Sequence, residues 1–218
     1  MALTLLWDVD GTLAETERDG HRVAFNLAFA ELGLPWGWDE RRYGELLHVT
    51  GGRERLLADM ATRPDAPTDP AVRAALAARL HALKNRLYAV LVEEGRLQPR
   101  PGVGSLLRAA RDAGWRQAIV TTTSRANAEV LLARLFGRAL EGAFECWVCG
   151  EDVARKKPDP EAYQLALSRL GVAASEALAL DDSGPGAAAA AADGVPVLLR
   201  PSAYFASATL PDGAAGTL

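Results

Sequence analysis

The chain has 218 residues, 49% of them hydrophobic, and its 24 Lys and Arg against 28 Asp and Glu leave a formal net charge of −4. That length allows one large domain or two small ones with a sizeable core, and the mild acidity excludes the basic footprint of a nucleic-acid binder. No apolar run reaches the length of a membrane span and no basic leader precedes the first motif, so a cytoplasmic protein without membrane or nucleic-acid partners is expected.

The first element is Leu3-Thr4-Leu5-Leu6-Trp7, an apolar run that stops at Asp8-Val9-Asp10-Gly11-Thr12. Such a run reads as a strand buried on both faces, with Asp8 at the carboxyl end of a parallel sheet's central strand, where ligands of open α/β sheets bind. With a period of two, Asp8 and Asp10 start on the same side, and Gly11 lets the backbone turn its N–H groups towards an anion. Two carboxylates so close repel. A hard divalent cation such as Mg²⁺ resolves the conflict; a solvated turn is the plain alternative.

Polar residues 14–19 follow, then a helical repeat with Val23, Leu27 and Ala30 among its apolar positions. Gly33, Pro35 and Gly37 punctuate, with Trp36 and Trp38 expected to pack, and short helices are predicted over 39–48 and 52–62. Beyond the prolines at 64, 67 and 70, a long helix to about Glu94 carries Leu76, Leu80, Leu83, Leu87 and Leu91 on one stripe. Residues 15–97 thus read as all-helical.

From Pro99-Arg100-Pro101-Gly102 the pattern alternates: helix 103–114, strand 116–121, helix 125–136, strand 144–149, helix 159–170, strand 177–181, helix about 186–193 and strand 195–199. The six alanines at 187–192 suit a helix lying close on a sheet. The alternation implies a parallel sheet covered on both faces. The first strand belongs with this half, so the domains expected are an α/β core of residues 1–14 and 98–218 and an inserted helical cap of 15–97. A cap placed there has an obvious use as a lid. Cys146 and Cys149 form a C-x-x-C, but zinc lacks further ligands at suitable spacing, and strand geometry puts the thiols roughly 10 Å apart, too far for a disulfide. Two buried strand cysteines are expected. Residues after Pro201 are too poor in pattern to read.

Three more strand ends carry polar chemistry. Thr121-Thr122-Thr123-Ser124 offers hydroxyl and N–H groups at a helix start, Lys156-Lys157-Pro158-Asp159-Pro160 a cation on a stiff segment, and Asp181-Asp182 a second carboxylate pair. In this order with Asp8-Val9-Asp10-Gly11-Thr12, the chain resembles the haloacid dehalogenase superfamily of phosphohydrolases along its whole length. Gly11-Thr12-Leu13-Ala14-Glu15-Thr16-Glu17, Thr50-Gly51-Gly52-Arg53-Glu54-Arg55 and Thr121-Thr122-Thr123-Ser124 resemble its CbbY-type members, within the branch that includes β-phosphoglucomutase and phosphoglycolate phosphatase. The resemblance implies a Rossmann-like parallel core with a C1-type helical cap. It implies Asp8 as nucleophile, Asp10 as general acid/base, and Mg²⁺ held by Asp8, the backbone carbonyl of Asp10 and Asp182. It also gives Thr121 and Lys157 the transferring phosphoryl group. Asp181 stands where this branch often has Glu, shortening the reach to the lysine or to a metal-bound water. Asp8 shares its site with other carboxylates, so one of them should have a raised pKa.

In the cap, Glu17 and His21 at i and i+4 share a helix face and could meet a sugar hydroxyl, or form an exposed ion pair. Gly51, Gly52, Arg53 and Arg55 begin a helix with N–H and guanidinium groups suited to a second phosphate, the alternative being solvated arginines. Thr122 and Asp181 complete the substrate-contact candidates. The expected activity is Mg²⁺-dependent hydrolysis of a small sugar phosphate through an aspartyl phosphate, by resemblance a xylulose-1,5-bisphosphate type of substrate, in a monomer. The alternatives are a sugar phosphomutase or a phosphoglycolate phosphatase. A non-catalytic regulator would not need Asp8, Asp10, Lys157 and Asp182 all intact.

Overall fold

The computed structural model describes residues 3–137, 142–206 and 216–217. Six parallel strands form one sheet in the order β3-β2-β1-β4-β5-β6: β1 Thr4–Trp7, β2 Arg116–Val120, β3 Cys146–Val148, β4 Ala177–Asp181, β5 Val197–Leu199 and the two-residue β6 Gly216–Thr217. The central strand β1 pairs Thr4 with Arg116 on one side and with Ala177 on the other. Consequently Asp8, Thr121 and Asp182 all follow strands that end at the same edge of the sheet.

The sheet is apolar on both faces because both are covered. Leu5, Trp7, Ile119 and Leu180 face α5 (Val103–Asp112) and α6 (Arg125–Phe136), while Leu6, Ala118, Val120, Ala179 and Val197 face α7 (Glu161–Leu170) and α8 (Gly184–Ala192). The alanine run packs as expected, with Ala187, Ala189 and Ala190 fully buried. Cys146 and Cys149 are buried and unpaired.

Between β1 and β2 lie α1 (Arg22–Glu31), α2 (Glu40–Leu46), α3 (Gly52–Thr62) and α4 (Pro70–Glu93). Their core joins Phe25, Phe29, Trp38 and Tyr43 to Leu56, Leu80 and Leu83. Trp38 donates its Nε1–H to Asp59 at 2.9 Å and Trp36 to Asp65 at 2.7 Å, so both indoles pack with their polar edge satisfied. The stripe on α4 spans two cores, since Tyr88, Leu91 and Val92 belong to the sheet's cluster. In α1 the buried positions are Ala24, Phe25, Ala28 and Phe29, whereas Leu27 is 43% exposed and Ala30 lies on the surface. Of the apolar positions noted in the sequence, Val23 packs against the sheet's cluster while Leu27 and Ala30 lie outward, because the Phe25 and Phe29 rings bury more apolar surface. No helix among the described residues is long and apolar enough to cross a membrane.

The two connections to this helical segment touch each other. Ala14 bridges to Pro99, the Arg100 N–H donates to the Leu13 carbonyl at 2.8 Å, and Gly102 takes a left-handed φ of 84° to start α5.

Candidate active site

Lys157 lies at the centre of the strand-end cluster, its ammonium donating to Asp8 Oδ1 at 2.9 Å, Asp181 Oδ2 at 2.9 Å and the Val120 carbonyl at 2.8 Å. All three side chains are nearly inaccessible to solvent. Burial opposes charge on Lys157, but Asp181 and Asp8 outweigh it and hold its pKa well above the usual lysine value. Asp8 moves the other way. Burial raises it to about 7 despite Lys157 beside it. Asp182 is raised too, by burial and then by Asp181 and Asp8.

Asp10 is turned away from that trio. It accepts from Thr16 Oγ1 at 2.6 Å and from His21 Nε2–H at 2.9 Å. Burial pushes its pKa up, but His21 and Thr16 outweigh burial and bring it down to about 2. The raised carboxyls are therefore Asp8 and Asp182, while Asp10 is held ionised. His21 stacks on Tyr88 with ring centroids 4.1 Å apart.

Glu17 and His21 fall in a π-helical turn, Glu17–His21, which holds more residues per turn than an α-helix. Positions i and i+4 keep to one side in such a turn too, as expected: His21 reaches Asp10 and Glu17 accepts from the Tyr43 hydroxyl. Both still line a cavity of about 350 Å³ between the helical segment and the sheet. Gly51, Gly52, Arg53, Arg55 and Thr122 also line it. Gly51 has a φ of 93°, and a Cβ there would fall 2.3 Å from the Glu54 carboxylate. Arg55 is 5% exposed, donating to the Tyr43 hydroxyl at 2.9 Å and the Leu46 carbonyl at 3.3 Å, whereas Arg53 is exposed at the rim. Thr121 is buried, its hydroxyl accepting from the Thr123 N–H at 3.2 Å.

A smaller chamber of about 50 Å³ contains Asp8, Lys157 and Asp182 and shares Asp10, Glu17, Arg55 and Thr122 with the larger cavity. His81 and Lys84 are cavity residues that the sequence did not single out as site candidates, and Lys156 entered only as part of the Lys156–Pro160 segment. Lys84 is 3% exposed and sits over the rings of Phe25 and Tyr88 at 5.1 and 5.2 Å. Its signal was there to see, as a lone cation inside the leucine stripe of α4. Lys156 pairs with Glu54 at 2.7 Å across the cavity mouth.

Among the described residues, Asp8, Asp181 and Asp182 offer ligand atoms within 4.8 Å of one another. Asp182 Oδ2 is buried without a hydrogen-bond partner, so this donor set of hard oxygens with an uncommitted lone pair fits a divalent cation. Asp181 is the least free of the three, since it also accepts from the Ser183 N–H and hydroxyl at 3.0 and 2.9 Å.

A buried carboxylate bonded to lysine, a second aspartate pair and a cavity above them define a hydrolase site at the strand ends, and residues 3–194 match the haloacid dehalogenase-like hydrolase family model. The chain belongs to that family. It is 42% identical to the protein CbbY of Rhodobacter capsulatus over 200 residues, 92% of this chain and 86% of that one. The crystal structure of CbbY from Rhodobacter sphaeroides with phosphate superposes with a TM-score of 0.91 at 40% identity, covering 100% of this chain and 94% of that one. A mutant of the same protein in complex with xylulose-(1,5)bisphosphate gives 0.91 at 39% identity with the same coverage. These relationships make the chain a CbbY-type phosphatase.

Proposed function

We propose that the chain hydrolyses a sugar bisphosphate of the xylulose 1,5-bisphosphate kind, with Asp8 as nucleophile and Mg²⁺ as cofactor. The observation that carries this reading is the two-chamber cavity. Asp8 and Lys157 sit at 2.9 Å in the inner chamber, and the outer one is lined by Arg53, Arg55, Lys84 and Lys156. One anion fits at each end.

Asp8 and Asp182, with the Asp10 backbone carbonyl, would hold the cation. Bound there, Mg²⁺ would offset negative charge on the carboxylates and on the phosphoryl oxygens. Asp8 attacks phosphorus, and the sugar oxygen leaves with its bonding pair and takes a proton from Asp10. Water then attacks the aspartyl phosphate, Asp10 accepts its proton, and the Asp8–phosphorus bond breaks to restore the carboxylate. Asp10 must carry a proton for the first step, whereas in the free chain His21 and Thr16 hold it ionised, so that proton arrives with substrate. Lys157 and Thr121 orient the transferring group. The helical segment 15–97 acts as the cap over it.

The testing experiment is a phosphate-release screen over sugar mono- and bisphosphates with Mg²⁺, with isomeric products analysed in parallel. Release of one phosphate from a pentulose 1,5-bisphosphate, faster than from monophosphates, is the expected result. Transfer of phosphate between hydroxyls without release would replace this reading with a mutase.

A further inference from the structure

After β5 the backbone turns towards the helical segment and forms one wall of the inner chamber. Phe205 lines that chamber together with Leu47 of the helical segment. These two apolar side chains are out of place among Asp8, Asp10, Asp182 and Lys157 unless they do something there. Tyr204 and Phe205 both pack against the core of the helical segment. Tyr204 meets Tyr43 with centroids 5.8 Å apart, and it lands on Gly44, where a Cβ would lie 3.0 Å from its ring. Tyr43 is the residue that bonds both Glu17 and Arg55. The wall therefore joins the sheet to the cavity's polar contacts.

Its base is fixed by a half-buried cation. Arg100 donates from Nη1 to the Arg200 carbonyl at 2.8 Å and to the Gly11 carbonyl, and from Nη2 to the Pro201 carbonyl at 2.8 Å. Gly11 directly follows Asp10, so one guanidinium holds the catalytic turn and the wall together, and it belongs to the second connection of the helical segment. Glu15, from the first connection, pairs with it at 3.4 Å.

We infer that Pro201–Phe205 is a part of the active site outside the four motifs, in which Phe205 is a specificity-determining residue that screens the Asp8 chamber from bulk water. This rests on the hydrolase reading above. With the wall in place, the chamber is reached through the outer cavity it adjoins, so a donor whose body fills that cavity is seated productively and one that leaves it empty is not. Without it, water and small donors also reach Asp8 from the Phe205 side. The step itself is unchanged: water oxygen bonds to phosphorus, the Asp8–phosphorus bond breaks, and Asp10 takes the proton.

The test compares acetyl phosphate, which leaves the outer cavity empty, with a pentulose 1,5-bisphosphate, using wild type, Phe205→Ala, Phe205→Leu and Gly44→Leu. Gly44→Leu pushes Tyr204 off α2 and alters no chamber side chain. Phe205→Ala is expected to raise turnover of acetyl phosphate and to raise KM for the bisphosphate with little change in its kcat. The discrimination between the two then falls on the order of tenfold. Gly44→Leu should move the ratio the same way, and Phe205→Leu should restore most of it. Should Phe205→Ala not fold, Phe205→Val carries the same comparison. A ratio within about twofold of wild type in a folded Phe205 variant, or equal losses on both donors, overturns the inference. A wild type active on acetyl phosphate but on no sugar phosphate removes the sugar reading and leaves the acetyl phosphate arm to decide on Phe205. A wild type inert to both overturns both.

Discussion

Arg53 and Arg55 stand two positions apart yet meet different surroundings, and the difference separates binding from support. Arg55 is buried with its guanidinium spent on Tyr43, Leu46 and Glu17, so Arg55→Ala should lower thermal stability and reduce efficiency on monophosphate and bisphosphate alike. Arg53 at the rim has no such duties. A charge-assisted contact to a distal phosphate is worth roughly 1.5–3 kcal/mol, so Arg53→Ala should cost on the order of 10- to 150-fold in kcat/KM on a bisphosphate and far less on a monophosphate. Equal losses would assign Arg53 a structural role. Lys84 supplies a pH signature. Burial lowers it to about 8, against the opposing pull of Asp10 and Glu17. Its cation is present in the cavity below that pH and lost above it, so KM for a bisphosphate should rise between about pH 7.5 and 9. Lys84→Met should remove that limb. The stability sign is the reverse of a paired lysine's: the folded value lies below the ordinary 10.5, so burying the charge costs stability below about pH 8, and the cost fades as pH climbs towards 10.5. Lys84→Met should therefore raise Tm at pH 7 more than at pH 10; an equal change at both would contradict the assignment.

The helix α8 shows how closely an element must approach the chemistry. Its start is capped by Ser183, whose hydroxyl accepts from the Gly186 N–H at 3.1 Å, and a Cβ on Gly186 would fall 2.0 Å from Asp181 Oδ2. Gly186→Ala must displace Asp181 from Lys157, and kcat should fall on the order of 100-fold with helix content retained in circular dichroism. A wild-type kcat would show that Asp181 does not position the lysine. The same elements mark what the sequence can reveal. Strand ends were legible because apolar runs stop abruptly at Asp8, Thr121 and Asp181, and element bounds differ from expectation by a residue or two, as fraying ends do. The inner face of α1 was not, because a π-helical turn precedes it and the Leu27 column offers as good a stripe as Phe25–Phe29. Nor was Phe205, which sits in a stretch of Ala and Ser with no periodicity to announce it, and whose role exists only through the fold bringing it to Asp8.

At the level of the whole molecule, the helical segment is tied to the sheet at several points around the cavity. Lys156 pairs with Glu54, Thr50 donates its hydroxyl to the Lys157 carbonyl, and Asn127 donates to Asn85 at 3.0 Å. The Ala14–Pro99 bridge and Arg100 keep the two connections together, so under the proposed cap reading these cavity contacts are the ones that loosen when substrate enters. Everything in this arrangement converges on one carboxylate, and Asp8→Asn is nearly isosteric but cannot attack phosphorus. The most direct measurement is therefore an acid-quenched turnover of a pentulose 1,5-bisphosphate with Mg²⁺, following released phosphate and phosphorylated peptide by mass. Wild type should release one phosphate per substrate and carry a transient phosphoryl group on Asp8, and Asp8→Asn should do neither at an unchanged fold. Phosphate release by purified Asp8→Asn at a rate near wild type would contradict the account.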